Sequence, residues 1–320
     1  MATQSCLRKL MAPSTANHMG NVHGGNILRL CEEAGRIVAT KYSLGQVALV
    51  GASQTQFHSP IHVGEVASVS ATLDYVSRHA MRVSLKVEAE HLESGRTRET
   101  NSSNMWYSII DVKPRADGMT GVEMIRGERP IHPLHPSLVA PDAASELKKN
   151  AASAARLPLS TRSPKEFPVT LQVTPDVDSI SNHPFVSAGY VLKLMDEAGA
   201  VVAAAHTKHQ CVTVLLDKVC FRTPIRLGDL CTVRAGVTYT SSRSVETVVQ
   251  VWKTELPGGA EKEGCGSICA VEARFVFVAL GDNGKVVEVP ELPPDQRTIR
   301  WNAGAAKHEE RVAEKARAKL

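Results

Sequence analysis

The chain contains an internal repeat, which restricts its fold more than any other feature of the sequence. The stretch GNILRLCEEAG begins at Gly25, and the related stretch GYVLKLMDEAG begins 164 residues later, at Gly189. The same offset then relates further pairs without a gap: Val38 and Val202, Phe57 and Phe221, Pro60 and Pro224, Gly64 and Gly228, Tyr75 and Tyr239. The two halves are therefore copies of one unit.

Each unit has one segment with apolar residues at helical spacing. The first segment covers residues 26–42, and its apolar face consists of Ile27, Leu30, Cys31, Ala34 and Val38. The second covers residues 189–206, where alanine and valine extend the apolar surface nearly all round. Such a helix is expected to be buried on most sides.

The other segments of each unit alternate between apolar and polar residues or are rich in β-branched residues, which predicts strands. The predicted strands are 7–11, 47–57, 65–76, 81–89 and 103–112 in the first unit, and 169–173, 212–221, 230–239, 245–255 and 268–280 in the second. Because short turns join most of them, we expect an α+β fold in which each unit is an antiparallel sheet wrapped around one long central helix.

The repeat and the composition divide the chain into four parts. The units are expected to span residues 1–125 and 166–296. Residues 126–165 are rich in proline and include a helix-prone piece at 143–156, which predicts a linker with one short surface helix. Residues 297–320 form a charged tail, in which we expect an exposed helix from residue 305 onward.

The composition excludes several classes of protein. A net charge of +4 over 320 residues gives no reason to expect a nucleic-acid partner. No apolar run of about 20 residues is present, so we expect no membrane insertion. The seven cysteines are odd in number and include no CxxC pair, which favours free thiols in a reducing compartment.

The stretch GNVHGGNILRLCEEAG, residues 20–35, is the first candidate for a functional site. It lacks the Lys-Ser/Thr of a nucleotide P-loop and the GxGxxG spacing of a dinucleotide loop. Its histidines and acids lack the spacing of a metal site, so we expect neither metal nor cofactor. Two readings remain open: a catalytic loop whose helix N-terminus polarises a carbonyl, or a helix start that Asn21 and Asn26 cap.

Comparison of the two copies indicates which positions are candidates for catalysis. The counterpart of Asn21 is Phe185, and the counterpart of Glu32 is Asp196. An acid on an otherwise apolar helix is costly unless it is paired or used. The adjacent acids Glu33 and Glu197 match each other and are interpreted as structural, so Asp196 is the better candidate for a catalytic acid.

These features together resemble the hotdog-fold acyl-CoA thioesterases, and in particular the brain-type cytosolic acyl-CoA hydrolases with two hotdog domains in tandem. The resemblance rests on GNVHGGNILRLCEEAG and KLMDEAGAVVAA, supported by FHSPIHVGE, FRTPIRLGD, DYVSRHAMRV and TYTSSRSVET, and it covers both repeats. It implies a tandem double hotdog with two clefts, each built from the loop of one unit and the helix acid of the other. Three double hotdogs usually assemble into a hexamer-like ring in this family.

The family pattern implies one working cleft, which would join Asn21 to Asp196. The other cleft would join Phe185 to Glu32, and its loop departs from the family because Ser187-Ala188-Gly189 replaces the usual HGG. The implied reaction is hydrolysis of a long-chain fatty acyl-CoA to a free fatty acid and CoA.

The expected roles follow from the same resemblance. Asn21 and Asp196 would be catalytic, with His23, Gly24 and Gly25 placing the thioester oxygen. Arg78, Ser241 and Arg243 would bind the CoA phosphates from the turns between strands, where a plain solvated turn is the alternative. Whether Asp196 is a general base or a nucleophile stays open. A hotdog enoyl-CoA hydratase and a non-catalytic acyl-CoA sensor are the other functions considered.

The family's brain-type members are cytosolic, which implies a cytoplasmic location. The chain ends in Ala318-Lys319-Leu320, a conservative variant of the Ser-Lys-Leu peroxisomal address. The ending therefore offers peroxisomal targeting as the alternative to the cytosol.

Overall fold

The structure is a computed structural model that describes residues 2–17, 20–114, 122–128, 130–148, 167–181, 184–255, 267–297 and 301–317. Its long helices are α1 (Gly24–Ser43), α2 (Ala188–Thr207) and α3 (Trp301–Arg317). The strands of the first unit are β1 (Gln4–Leu10), β2 (Val47–Ala52), β3 (Thr55–Phe57), β4 (Val66–Val76), β5 (Ala80–His91), β6 (Arg96–Pro114) and β7 (Val122–Arg126). Those of the second are β8 (Val169–Val173), β9 (Gln210–Leu216), β10 (Val219–Phe221), β11 (Leu230–Thr240), β12 (Val245–Thr254) and β13 (Ile268–Leu280).

The strands form one sheet, and the two units join within it. Its main path runs β1-β4-β5-β6-β2-β10-β13-β12-β11-β8, and the strand pairs are antiparallel. At the junction Ala52 pairs with Val219, and Thr55 pairs with Leu216. Leu216 and Val219 are the repeat counterparts of Ala52 and Thr55, so the junction has approximate twofold symmetry. The predicted tandem double hotdog is confirmed.

Each central helix contacts its sheet at the same position of the repeat, which is a glycine in both units. A Cβ at Gly35 of α1 would collide with the hydroxyl of Tyr107 on β6. A Cβ at Gly199 of α2 would lie 3.0 Å from the ring of Phe277 on β13. Glycine is therefore needed at both positions so that each helix can approach a large aromatic ring.

The prediction of a single strand over residues 47–57 was wrong in one respect. The strand divides into β2 and β3, and residues 53–54 lie between them. The break falls where the chain crosses the junction between the units, since β2 pairs with β10 whereas β3 pairs with β9. The equivalent segment of the second unit divides in the same way, into β9 and β10.

The segment after β7 packs onto the first unit. Arg82 is almost completely buried, and its guanidinium donates to Asp142 over 2.8 Å and to Glu146 over 2.6 Å. Residues 143–148 are helical, as predicted, while residues 149–156 of that predicted helix lie outside the described residues. The described part of the Pro-rich segment is thus held against β5 by a buried ion network.

The predicted tail helix is present, and most of its described residues are exposed or half-exposed, but one of its faces is docked on the second unit. Helix α3 begins earlier than expected, and the ring of Trp301 packs 4.9 Å from that of Tyr239 on β11. Further along, Arg311 donates to Oε2 of Glu246 over 2.9 Å. Glu246 is buried, so the helix is docked because it supplies a cation to a buried carboxylate. None of the described helices is both long and apolar enough to cross a membrane.

Candidate active site

The N-terminus of α1 lies next to Asp196 of α2, and the N-terminus of α2 lies next to Glu32 of α1. A Cβ at Gly25 would lie 2.8 Å from Cα of Lys193 on α2, and a Cβ at Gly189 would lie 3.0 Å from Cα of Arg29 on α1. The helices therefore run antiparallel in contact, and only glycine permits this separation. The arrangement creates two related clefts, one with Asp196 and one with Glu32.

In the first cleft, two donors hold Asp196. The Gly25 amide donates to Oδ2 over 2.8 Å, and the hydroxyl of Thr213 on β9 donates to Oδ1 over 2.6 Å. The carboxyl group is fully buried. Burial raises the pKa of Asp196, and the bonds from Thr213 and Gly25 and the nearby His23 oppose that rise.

The glycines of the loop have different roles. The amide of Gly25 is occupied by Asp196, so this residue positions the acid. Within the described ranges no group accepts a hydrogen bond from the Gly24 amide, which lies in the first turn of α1. This amide and the positive end of the helix dipole remain available to an anionic or polarised oxygen.

The two asparagines of the loop do not cap α1. The helix has His23 at its N-cap, without a side-chain capping bond. Asn26 instead donates from Nδ2 to the Thr15 carbonyl over 2.7 Å, which ties the helix start to the preceding loop. Asn21 is half-buried, and no described residue bonds its side-chain amide. The capping role that the sequence offered as the alternative is thus wrong for both asparagines, and the catalytic role of Asn21 stays a prediction.

A cavity of about 560 Å³ opens at this cleft. Its wall includes Asn21, His23, Gly24, Ile27, Phe57 and Thr213. Asp196 lies directly behind the wall, since a Cβ at Gly24 would lie 2.9 Å from Cβ of Thr213 and 3.3 Å from Oδ1 of Asp196. Because Gly24 has no side chain, it separates Asp196 from the cavity with backbone atoms alone.

The second cleft has a similar shape and different chemistry. Glu32 accepts from the Ser187 hydroxyl over 3.2 Å and forms an ion pair with Arg36, with 3.3 Å between Nε and Oε1. Burial raises the pKa of Glu32 while Arg36 opposes the rise. Phe185, fully buried, takes the place of Asn21, and the cavity is smaller, at about 280 Å³.

Two differences between the clefts were missed from the sequence alone. The repeat offset aligns Thr213 with Leu49. The second cleft therefore has no hydroxyl at the position that Thr213 occupies in the first cleft. The same offset aligns Arg36 with Ala200, so the described surroundings of Asp196 contain no equivalent cation. The signal for both was present in the alignment of the two copies, at positions outside the glycine-rich motif.

The residues predicted to bind CoA are not among those that line the first cavity. Arg78 is exposed at the turn between β4 and β5, and its carbonyl accepts from the Ile131 amide over 3.2 Å. Ser241 and Arg243 lie in the turn between β11 and β12, where the Arg243 amide donates to Oγ of Ser241 over 3.3 Å. Arg243 is also exposed. Their role in binding CoA stays a prediction.

Comparison with known proteins agrees with the repeat. The profile of the Thioesterase superfamily matches residues 19–95 and again residues 183–259. The cytosolic acyl coenzyme A thioester hydrolases of Mus musculus and Homo sapiens are each 31% identical to this chain over 307 residues, which cover 90% of this chain and 77% of theirs.

A solved structure also matches most of the fold. An acyl-ACP thioesterase from Bacteroides thetaiotaomicron superposes with a TM-score of 0.53 over 86% of this chain and 97% of its own, at 10% identity. Likeness at this identity concerns the fold alone. The extended sequence match and the double family match together show that this chain belongs to the thioesterase superfamily, as a tandem member similar to the cytosolic acyl-CoA thioester hydrolases.

Proposed function

We propose that this chain hydrolyses the thioester of long-chain fatty acyl-CoA, releasing a free fatty acid and CoA, and that only the first cleft performs the reaction. The supporting observation is the pair of hydrogen bonds that hold Asp196 behind the wall of the first cavity. The relatives named as acyl-CoA thioester hydrolases support the substrate class. The predominantly apolar seam between α1 and the sheet suits a fatty acyl chain.

The thioester carbonyl oxygen would point at the Gly24 amide, with the Asn21 side chain as a second donor or as a holder of water. Both groups stabilise negative charge as it develops on that oxygen. The acyl–sulfur bond then breaks, and the CoA thiolate leaves. A thiol with a pKa near 8.5 is a good leaving group, so the site needs no strong general acid.

Two routes are open to Asp196. As a general base it removes a proton from water, which adds to the acyl carbon. As a nucleophile it forms an acyl anhydride, which water then opens. After a single turnover in ¹⁸O-labelled water, label in the Asp196 carboxylate would identify the anhydride route with attack at the enzyme carbonyl, because the general-base route places label only in the fatty acid.

The oligomeric state and the CoA contacts are part of the same proposal. We expect three double hotdogs to form a ring, as the family resemblance implies, with Arg78, Ser241 and Arg243 contacting CoA phosphates.

The cellular location is proposed on the same basis. The cytosolic relatives support a cytoplasmic location. The peroxisomal alternative depends on Ala318-Lys319-Leu320, which lie outside the described residues. Deletion of these three residues tests it directly, because import into peroxisomes should then stop.

One assay separates the proposed function from its competitors. Purified protein is incubated with palmitoyl-CoA, and free thiol is measured over time. A thioesterase releases thiol with turnover, a sensor binds the substrate without releasing thiol, and a hydratase instead consumes the double bond of an enoyl-CoA. Absence of thiol release from saturated acyl-CoAs of any chain length would refute the proposal.

A further inference from the structure

A buried amide in the wall of the first cavity has no role in the reaction described above. Asn101 on β6 is fully buried, and it contributes to the wall of the same cavity as Asn21 and Thr213. Its Nδ2 is buried, and no nitrogen or oxygen atom of the described structure accepts a hydrogen bond from it. Burying an amide without a partner destabilises a fold, so such a group calls for an explanation.

The fold itself does not require this amide. On the sheet of the first unit Asn101 pairs with Phe57, and on that of the second unit Val271 pairs with Phe221. Phe57 and Phe221 are repeat counterparts, so Val271 holds the place of Asn101 in the other copy. The second unit therefore builds the same sheet with an apolar residue, and the polar group belongs to the working cleft alone.

Asn101 lies beside the route that an acyl chain bound at Gly24 would take through the cavity. Gly24 and Ile27 of α1 line the cavity together with Phe57 and Asn101 of the sheet. The amide is close to Cys31, which lies seven residues after Gly24, or about 10 Å along the helix at 1.5 Å per residue. A chain whose carbonyl is bound at Gly24 and whose tail enters the seam between Ile27 and Phe57 thus passes this amide at an internal carbon.

No strong partner for the amide lies nearby within the protein. Burial raises the pKa of the Cys31 thiol to about 12, and a side-chain hydrogen bond with Asn101 opposes that rise, so the amide's neighbour is a thiol that stays protonated. An uncharged thiol is only a weak acceptor. The partner that would satisfy the amide is therefore expected from the ligand.

The hydrogen bonds of Thr100 show which ligand group fits. Its hydroxyl lies 3.2 Å from the Val87 carbonyl and 3.1 Å from Oδ1 of Asn101, yet it has a single hydrogen to donate. If that hydrogen goes to Val87, the amide can turn so that Nδ2 donates to Thr100, and the oxygen then faces only the weak S–H donor of Cys31. A hydroxyl both donates and accepts, so it can pair with the unsatisfied atom in either orientation.

We propose that Asn101 recognises a hydroxyl group on an internal carbon of the acyl chain, so that the first cleft prefers hydroxylated long-chain acyl-CoAs over the unsubstituted chain. This inference rests on the proposed thioesterase function and narrows its substrate class. It assigns to Asn101 a part in substrate selection, at a distance from the bond that breaks.

The test compares octadecanoyl-CoA with a series of monohydroxy isomers in which the hydroxyl moves along the chain. For the wild-type protein we expect kcat/KM to peak at one internal position, about 3- to 10-fold above the unsubstituted substrate, as one net hydrogen bond supplies. In Asn101→Val, which copies the second unit, the peak should disappear. Ratios between substrates on the same sample do not depend on how much of a variant is folded.

Asn104→Val is the matched control, because Asn104 lies on the same strand, is half-exposed and does not line the cavity. This variant should keep the peak. A flat profile in the wild-type protein, or a peak that survives in Asn101→Val, would overturn the inference while leaving the thioesterase function intact. Failure to hydrolyse any member of the series, including octadecanoyl-CoA, would refute both proposals.

Discussion

Thr213 of β9 donates to Asp196 over 2.6 Å, whereas Glu32 in the other cleft accepts from the hydroxyl of Ser187 over 3.2 Å. The counterpart of Thr213 is Leu49, whose side chain has no donor to offer Glu32. Glu32 is instead paired with Arg36, which has no counterpart next to Asp196. Burial raises the pKa of both acids, so the direction of the pKa shift does not distinguish them. Their partners do: neutral donors alone, Gly25 and Thr213, hydrogen-bond Asp196, whereas the cation Arg36 forms an ion pair with Glu32.

Replacing Thr213 with valine should affect both rate and pH dependence. The hydroxyl lowers the pKa of Asp196 against the rise due to burial, so its loss should move the acid limb of the kcat/KM profile to higher pH. A hydrogen bond to a charged group is worth about 1.5–3 kcal/mol, so kcat should fall by roughly 10- to 100-fold. Leu49→Val is the control in the second cleft and should change neither. An unshifted acid limb in Thr213→Val would show that the hydroxyl does not act on the catalytic acid.

Asp196→Asn should stabilise the protein at neutral pH. Because burial raises the pKa of Asp196, the folded chain binds the proton more tightly than the unfolded chain, and the ionised acid lowers stability at neutral pH. The asparagine keeps partners for Gly25 and Thr213 without that charge. We expect a higher Tm than wild type at pH 8, with a difference that shrinks as the pH falls to the unfolded value near 3.9. A Tm below that of wild type at pH 8 would contradict this.

Asn21→Ala should reduce activity without reducing stability. No described residue bonds the Asn21 amide, so its removal costs the fold little, whereas loss of one donor to a developing oxyanion typically lowers kcat about 10²- to 10³-fold. Asn26→Ala is the matched comparison, because the Asn26 amide donates to the Thr15 carbonyl over 2.7 Å. That variant should lower the Tm. The assignment fails if Asn21→Ala retains wild-type kcat.

The docking of α3 leads to a prediction about stability alone. Glu246 is buried and accepts from Arg274 and Arg311, each over 2.9 Å. Arg311→Ala removes one cation from this carboxylate, and we expect the free energy of unfolding to fall by about 1–3 kcal/mol. The measurement is denaturant unfolding, with kcat on palmitoyl-CoA as the control, which should not change. A loss of less than about 0.5 kcal/mol would mean that Arg274 and Thr238 satisfy Glu246 without Arg311.

The repeat explains why much of the fold was predictable. The offset of 164 residues located both central helices to within two residues at each end and identified Phe185 as the replacement for Asn21. It also marked Asp196 as a candidate, because an acid on such an apolar helix must be paired or used. These inferences depend on local periodicity and on residue identity, both of which can be read from the amino-acid sequence alone.

Other features depend on contacts between distant segments. The break between β2 and β3 arises because two units share a sheet, and nothing local in residues 47–57 required it. The tail helix was expected to be exposed because its sequence is highly charged, yet one of those charges pairs with buried Glu246. Thr213 is an ordinary residue of a predicted strand, and only the fold brings it to Asp196.

The central claim is that Asp196, and not Glu32, is the catalytic acid of a thioesterase. The most direct measurement is kcat for palmitoyl-CoA in two isosteric variants, Asp196→Asn and Glu32→Gln, each confirmed as folded from its Tm. We expect Asp196→Asn to lose at least about 10³-fold in kcat, as is typical for the essential group of such a site, and Glu32→Gln to stay within about twofold of wild type. Retention of activity by Asp196→Asn, or an equal loss in both variants, would contradict the account.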